Sequence, residues 1–239
     1  NMLERLKDSP NYRWLVVAAV SIGTFMATLD GNIVNVALPG IASQFQSGLS
    51  LLQWVVTAYL LTISSLLPVF GRLSDMIGRK RIYALGFVVF TMGSALCGIA
   101  PRVLQAIGAS MLMSNSMAIV SAVFPPKERG KALGVTGTVV ALGSLTGPAL
   151  GGLLIGLAGW RSVFYINLPL GLLGVVVAML VLPADAPRKQ GETFDFGGAA
   201  LFTVGVVSLL FAINNGANWG WTSVPVLGGF IAGIALLVA

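Results

Sequence analysis

One acid stands apart from the rest. Asp30 lies within LDGNIVNVALPG, deep in an apolar stretch, whereas Glu4, Asp8, Asp75, Glu128, Asp185, Glu192 and Asp195 fall in polar segments or at their edges. A carboxylate in hydrocarbon is costly unless it is protonated, paired or turned toward water. Dehydration favours the neutral acid, so a side chain so placed can load and unload a proton as its surroundings change. On helical geometry Asp30 shares a stripe with Gly23, Met26, Ile33 and Ala37. Asn32 and Asn35 occupy another face and are read as hydrogen bonders between helices.

A second segment, RVLQAIGASMLMSNSM, offers partners. Arg102, Gln105, Ala109 and Ser116 fall near one face of a helix there. Arginine stays charged and can hold the ionised form of a nearby carboxylate; at the very start of its apolar run it can equally snorkel to the surface. Met111, Met113 and Met117 crowd the same segment. Flexible thioethers suit a cavity for ligands of varied shape and suit core filling as well. Met26, Asn35, Gln105 and Met113 are the candidate cavity lining.

Other chemistry is excluded by what the chain lacks. There is no histidine, and the single cysteine, Cys97, sits in an apolar block. No intrachain disulfide can form, no metal site or cofactor is expected, and proton chemistry must use carboxylates. With no activated nucleophile in view, the chain does not read as an enzyme.

The elements that position these groups are membrane helices. Hydrophobic residues make up 56% and charged residues only 9%, with a mean hydropathy of +0.90, against about 25% charged in soluble domains. Apolar blocks of about 20 residues match the length needed to cross the bilayer. Eight spans are expected, at 13–38, 51–71, 80–100, 102–124, 131–156, 162–183, 196–214 and 224–239, with Pro39 ending or bending the first. Twelve of the fourteen Lys and Arg residues fall on one side of this map, leaving Arg102 and Arg161 on the other. Basic loops stay in the cytoplasm, so the N-terminus is expected inside, and the basic charge reflects topology rather than nucleic-acid binding. Trp14, Trp54, Trp160, Trp219 and Trp221 all map to span ends, where amphipathic rings settle at the interface. The last block runs to Ala239 without a polar flank and the chain starts at Asn1, so it reads as part of a longer protein.

Glycine marks the fifth span. In ALGSLTGPALGGLL, Gly143, Gly147 and Gly151 recur every four residues and present a flat ridge to a neighbour. Pro148 removes a backbone donor there and favours a kink. In the connection between spans 2 and 3, GRLSDMIGRKR, Gly78 suits a tight turn and Asp75 suits the N-terminus of the following helix.

Four segments together resemble the 14-span drug:proton antiporters of the major facilitator superfamily. GRLSDMIGRKR is similar to the superfamily's signature loop through Gly71, Leu73, Asp75, Gly78, Arg79 and Lys80. LDGNIVNVALP resembles the first-span segment of the 14-span branch, with Asp30 at its acidic position. GSLTGPALGG resembles the antiporter motif through Gly143, Gly147, Pro148, Gly151 and Gly152, and GWRSVFYINLPLG resembles another 14-span segment through Trp160, Arg161, Asn167, Pro169 and Gly171. Two features depart from the pattern. GIAP runs directly into RVLQ, about two helical turns short, so the 3–4 connection is truncated or lacks residues; with them Arg102 would lie inside the membrane. Ser114 stands where relatives often carry proline.

The resemblance implies an all-α, multi-pass fold: a six-helix bundle over 1–183, a cytoplasmic linker over 184–195, and two extra helices over 196–239, with a C-terminal helical bundle lying outside this chain. It implies export of a lipophilic small molecule, often a cation, in exchange for protons across the cell membrane. Asp30 and Arg102 would couple protons, while Gly71, Asp75, Gly78, Arg79, Gly143, Gly147, Pro148 and Gly151 would serve conformational change. An uptake symporter on the same fold and a non-transporting membrane sensor are the alternatives.

Overall fold

A computed structural model describes residues 11–46, 48–96, 103–185 and 193–238. Nine helices run through these residues: α1 (Tyr12–Phe45), α2 (Leu49–Ile77), α3 (Arg79–Leu96), α4 (Val103–Val123), α5 (Pro126–Ala158), the short α6 (Ser162–Tyr165), α7 (Asn167–Val181), α8 (Phe196–Trp219) and α9 (Val224–Val238). Each expected span is met by a helix, with α6 and α7 together forming the sixth. Six are long and apolar enough to cross a membrane, and α9 is a shorter apolar helix. No strand occurs among the described residues.

The surface carries the apolar load expected of a protein solvated by lipid. Leu145, Leu157, Leu172, Val224 and Ile231 are all more than two-thirds exposed, a distribution that would aggregate in water. Polar side chains are instead found inside, among them Asp30, Ser94, Gln105, Asn115 and Asn167. Helix association in lipid depends on close packing and interhelical hydrogen bonds, and both are present here.

α1 is the central element, touching α2, α4, α5, α6 and α7. Along α5 the faces of Gly143, Gly147 and Gly151 lie against Thr28, Asn32 and Ile33 of α1, so the ridge seats α1 at the level of Asp30. Asn32 Nδ2 reaches Ser144 Oγ across the same seam at 3.4 Å. α3 and α4 approach still more closely: a side chain at Gly93 or Gly108 would run into the partner's backbone. α8 and α9 form a hairpin that meets the bundle chiefly at α2. Trp54 of α2 stacks on Phe211 at 5.7 Å, and Phe211 meets Trp219 at 5.6 Å.

Four expectations need correction. α1 does not end at Pro39, one of the two outcomes expected there, but continues to Phe45, because a proline breaks a helix only when its lost donor and ring strain are not offset by packing, and Leu38 and Ile41 pack beside Trp160, Val163 and Phe164. Asn35 makes no interhelical bond among the described residues; it is exposed, and its amide turns back to Gly31 O at 3.5 Å. Trp160 lies at a span end, as expected, but is turned into the bundle rather than outward. It is 9% exposed, donates to Gln44 Oε1 and packs on Phe45 and Phe164. Finally, Asp75 lies in the last turn of α2 and pairs with Arg79, while Asp185, more than a hundred residues away, caps α3.

Candidate functional site

Asp30 is closed to solvent, at 0% exposure, and sits about 27 Å along α1 from Tyr12 at 1.5 Å per residue. Helices α4 and α7 each deliver one polar side chain to it, and α3 supplies a serine that joins the two. Gln105 Nε2 donates to Asp30 Oδ1 at 2.7 Å, and Asn167 Nδ2 donates to the same oxygen at 2.9 Å. Each amide uses its other hydrogen on Ser94 Oγ, at 3.1 Å from Gln105 and 3.0 Å from Asn167. Ser94 in turn donates to Phe164 O at 2.9 Å. The result is a closed ring of four polar groups in which both amide nitrogens bridge the carboxylate and the serine.

The local sequence explains why these side chains meet. Gln105 lies in the first turn of α4, Ser94 in the last turn of α3 and Asn167 at the start of α7, so all three sit at the same end of the bundle. Gly93 lets the α4 backbone beside Gln105 come against α3. About one to two turns further along α1, Ile33, Val34 and Ala37 pack with Trp160, Val163 and Phe164 in an apolar cluster. Amide donors aimed at a carboxylate favour its ionised form, and the loss of water disfavours that form.

The stripe of Gly23, Met26, Asp30, Ile33 and Ala37 faces inward throughout. Gln105, Ala109 and Ser116 are likewise buried. Arg102 lies outside the described residues. The candidate lining residues do not share one surface: Met26 and Gln105 are fully buried, Met113 is half-buried and Asn35 is exposed. Ser94 and Asn167 complete the ring and were not among the expected site residues. Asn167 was visible only as part of a resembling segment, and a lone serine in an apolar run carries no signal of its own.

The signature loop forms a second polar region at the opposite end. Arg79 joins Asp75 at 2.8 Å and donates to Ala118 O of α4 at 3.0 Å. Asp185 accepts the backbone N–H groups of Lys80 at 2.7 Å and Arg81 at 3.2 Å. Lys80 Nζ returns the favour to the end of α7, reaching Met179 O at 2.6 Å and Leu182 O at 3.2 Å. α3 and α7 thus cap each other, a cation on carbonyls and an anion on N–H groups. Gly78 makes this possible with φ +126° and with a face that Asp185 fills. A cavity of about 690 Å³ opens here, with Tyr12, Arg79, Lys80, Ile119, Leu182 and Asp185 in its wall.

A bundle of apolar, polar-cored helices with such a site is a multi-pass membrane protein. The Major Facilitator Superfamily profile matches residues 20–239, and the chain belongs to that family. It is 42% identical over 214 residues to the riboflavin transporter RibZ of Clostridioides difficile, covering 86% of this chain and 47% of that protein. It is 40% identical to the multidrug resistance protein Stp of Mycobacterium tuberculosis, covering 89% and 41%, and 37% identical to the multidrug transporter MdtP of Bacillus subtilis, covering 95% and 43%. The chain therefore spans about half the length of these relatives. The crystal structure of the POT family transporter PepTSo shares the fold, with a TM-score of 0.66 at 15% identity over 97% of this chain and 52% of that one.

Proposed function

We propose that this chain is the proton-coupling half of a secondary active exporter that exchanges external protons for lipophilic, often cationic, small molecules. The carrying observation is a carboxyl group sealed inside a membrane bundle and held by two amides rather than by hydrocarbon alone. Multidrug transporters among the relatives support the cargo class. In this reading the six-helix unit spans 1–183, residues 184–195 link it to the two extra helices of 196–239, and a second bundle completes the substrate pathway. The basic end faces the cytoplasm of a cell membrane.

Asp30 takes a proton from outside as the drug leaves, with Gln105, Asn167 and Arg102 supporting its ionised state. Inward exposure then releases the proton and restores affinity for cargo. Gly143, Gly147, Pro148 and Gly151 let α5 slide on α1, and Gly71, Asp75, Gly78 and Arg79 serve the gate at the basic end. The riboflavin transporter among the relatives favours a second reading of the cargo, a planar amphiphile of metabolic origin. The test uses the full-length transporter in inside-out vesicles. Asp30→Asn should abolish ethidium transport driven by a pH gradient; unchanged gradient-driven transport would refute the coupling role.

A further inference from the structure

Between Asp30 and the basic end lies another buried polar cluster, and it contains no charge. Thr24 of α1, Tyr83 of α3 and Ser116 of α4 bring three hydroxyls together at 4%, 0% and 3% exposure. Thr24 Oγ1 donates to Ser116 Oγ at 3.0 Å. Tyr83 donates to Val20 O at 2.8 Å and also meets the Ser116 hydroxyl. Gly23 leaves α1 bare opposite the tyrosine, since a methyl group there would overlap the phenolic oxygen. Packing alone would be served as well by a phenylalanine and a side chain on α1.

The position of the cluster is informative. Tyr83 is one turn of α3 from Lys80, and Ser116 is one turn of α4 from Ile119; both Lys80 and Ile119 line the 690 Å³ cavity. In the other direction Asp30 lies six residues beyond Thr24, about 9 Å of helix. Fully buried Met26, Phe87, Phe90 and Leu112 fill the space between. The charged groups facing the cavity beyond the cluster are Arg72, Asp75, Arg79, Lys80 and Asp185.

Building on the coupling role of Asp30, we propose that Thr24, Ser116 and Tyr83 form the inward proton relay, with the Met26–Phe87–Phe90 layer as its closed gate. When that layer parts and water enters, the Asp30 O–H bond breaks and the electron pair stays on the carboxylate. The entering water takes the proton. Each hydroxyl oxygen then accepts a proton and releases its own, and cavity water carries the charge away. The three hydroxyls end chemically unchanged.

The test compares two ethidium assays of the full-length transporter in inside-out vesicles. One follows transport driven by a pH gradient. The other follows ethidium-for-ethidium exchange at equal pH, which requires the conformational cycle but no net proton movement. Tyr83→Phe and the Thr24→Val/Ser116→Ala pair should slow the gradient-driven rate about tenfold and leave exchange near the unaltered rate, while Ser116→Thr should preserve both. Equal losses in the two assays would reduce the cluster to packing and overturn the relay. So would unchanged rates in both, provided Asp30→Asn still abolishes gradient-driven transport. If Asp30→Asn has no effect, or the unaltered protein moves no ethidium down the gradient, the coupling reading falls and the relay with it.

Discussion

The two ends of this bundle both hold acids in place, and they do so with different chemistry. Among the described residues Asp30 accepts from two neutral amides, every N–H of those two side-chain nitrogens is used, and the ring is closed to water. At the α2–α3 turn the partners are Arg79, Lys80, Arg81 and backbone caps, and Asp75 stands exposed. The difference follows from the surroundings. A full charge pair is expensive to dehydrate, whereas an amide is cheaper to bury once all its hydrogens are satisfied. At the rim, water can replace any lost partner. Side-chain deletions should therefore be severe at the dry end and mild at the wet one.

The largest loss of stability is expected from Asn167→Leu. It removes two hydrogen bonds and leaves Asp30 and Ser94 each short of a donor where water does not reach. A cost of about 3 kcal/mol follows, read as a lowered unfolding temperature of the full-length transporter in detergent. A shift no larger than that of a rim variant would mean the ring is not the rigid dry site described above.

Gly78→Ala comes next, and it sharpens the comparison because it damages the rim through the backbone. An alanine must hold φ near +126° and displace the Asp185 carboxylate that caps α3. Backbone strain contributes about 1–2 kcal/mol and the lost cap about 1 kcal/mol. Asp185→Ala should reproduce only the second part. If the two variants unfold at the same temperature, the strain assigned to Gly78 is absent.

These contrasts also show what could be read in the sequence. The fold was legible because a span's length and apolarity are set by the bilayer, and each of the eight expected spans corresponds to a helix. Asp30 was legible because an acid in such a span is conspicuous, and Gln105 because its spacing placed it on the inward face of α4. Ser94 was invisible, since serine hydroxyls are tolerated in most membrane helices. The cap on α3 was misassigned for a related reason. Asp75 is near in sequence, but the helix N-terminus is filled by Asp185, which only the packing of α7 against α3 brings there. At residue 39 the expected alternative of a helix end does not occur, because contacts around Trp160 carry α1 through the proline.

The smallest effect is expected at the most recognisable residue of the signature loop. Asp75→Ala removes the pair with Arg79, whose side chains are 47% and 37% exposed, and a pair so exposed contributes about 0.5 kcal/mol. Arg79 keeps its bond to Ala118 O, so the join between the end of α2 and α4 survives the substitution. Asp185 still caps α3, and Lys80 still caps α7. The unfolding temperature should stay within the range of other surface substitutions. A loss for Asp75→Ala equal to that of Gly78→Ala would reverse the ranking and show that the exposed carboxylate, rather than the backbone turn beside Asp185, holds the basic end together.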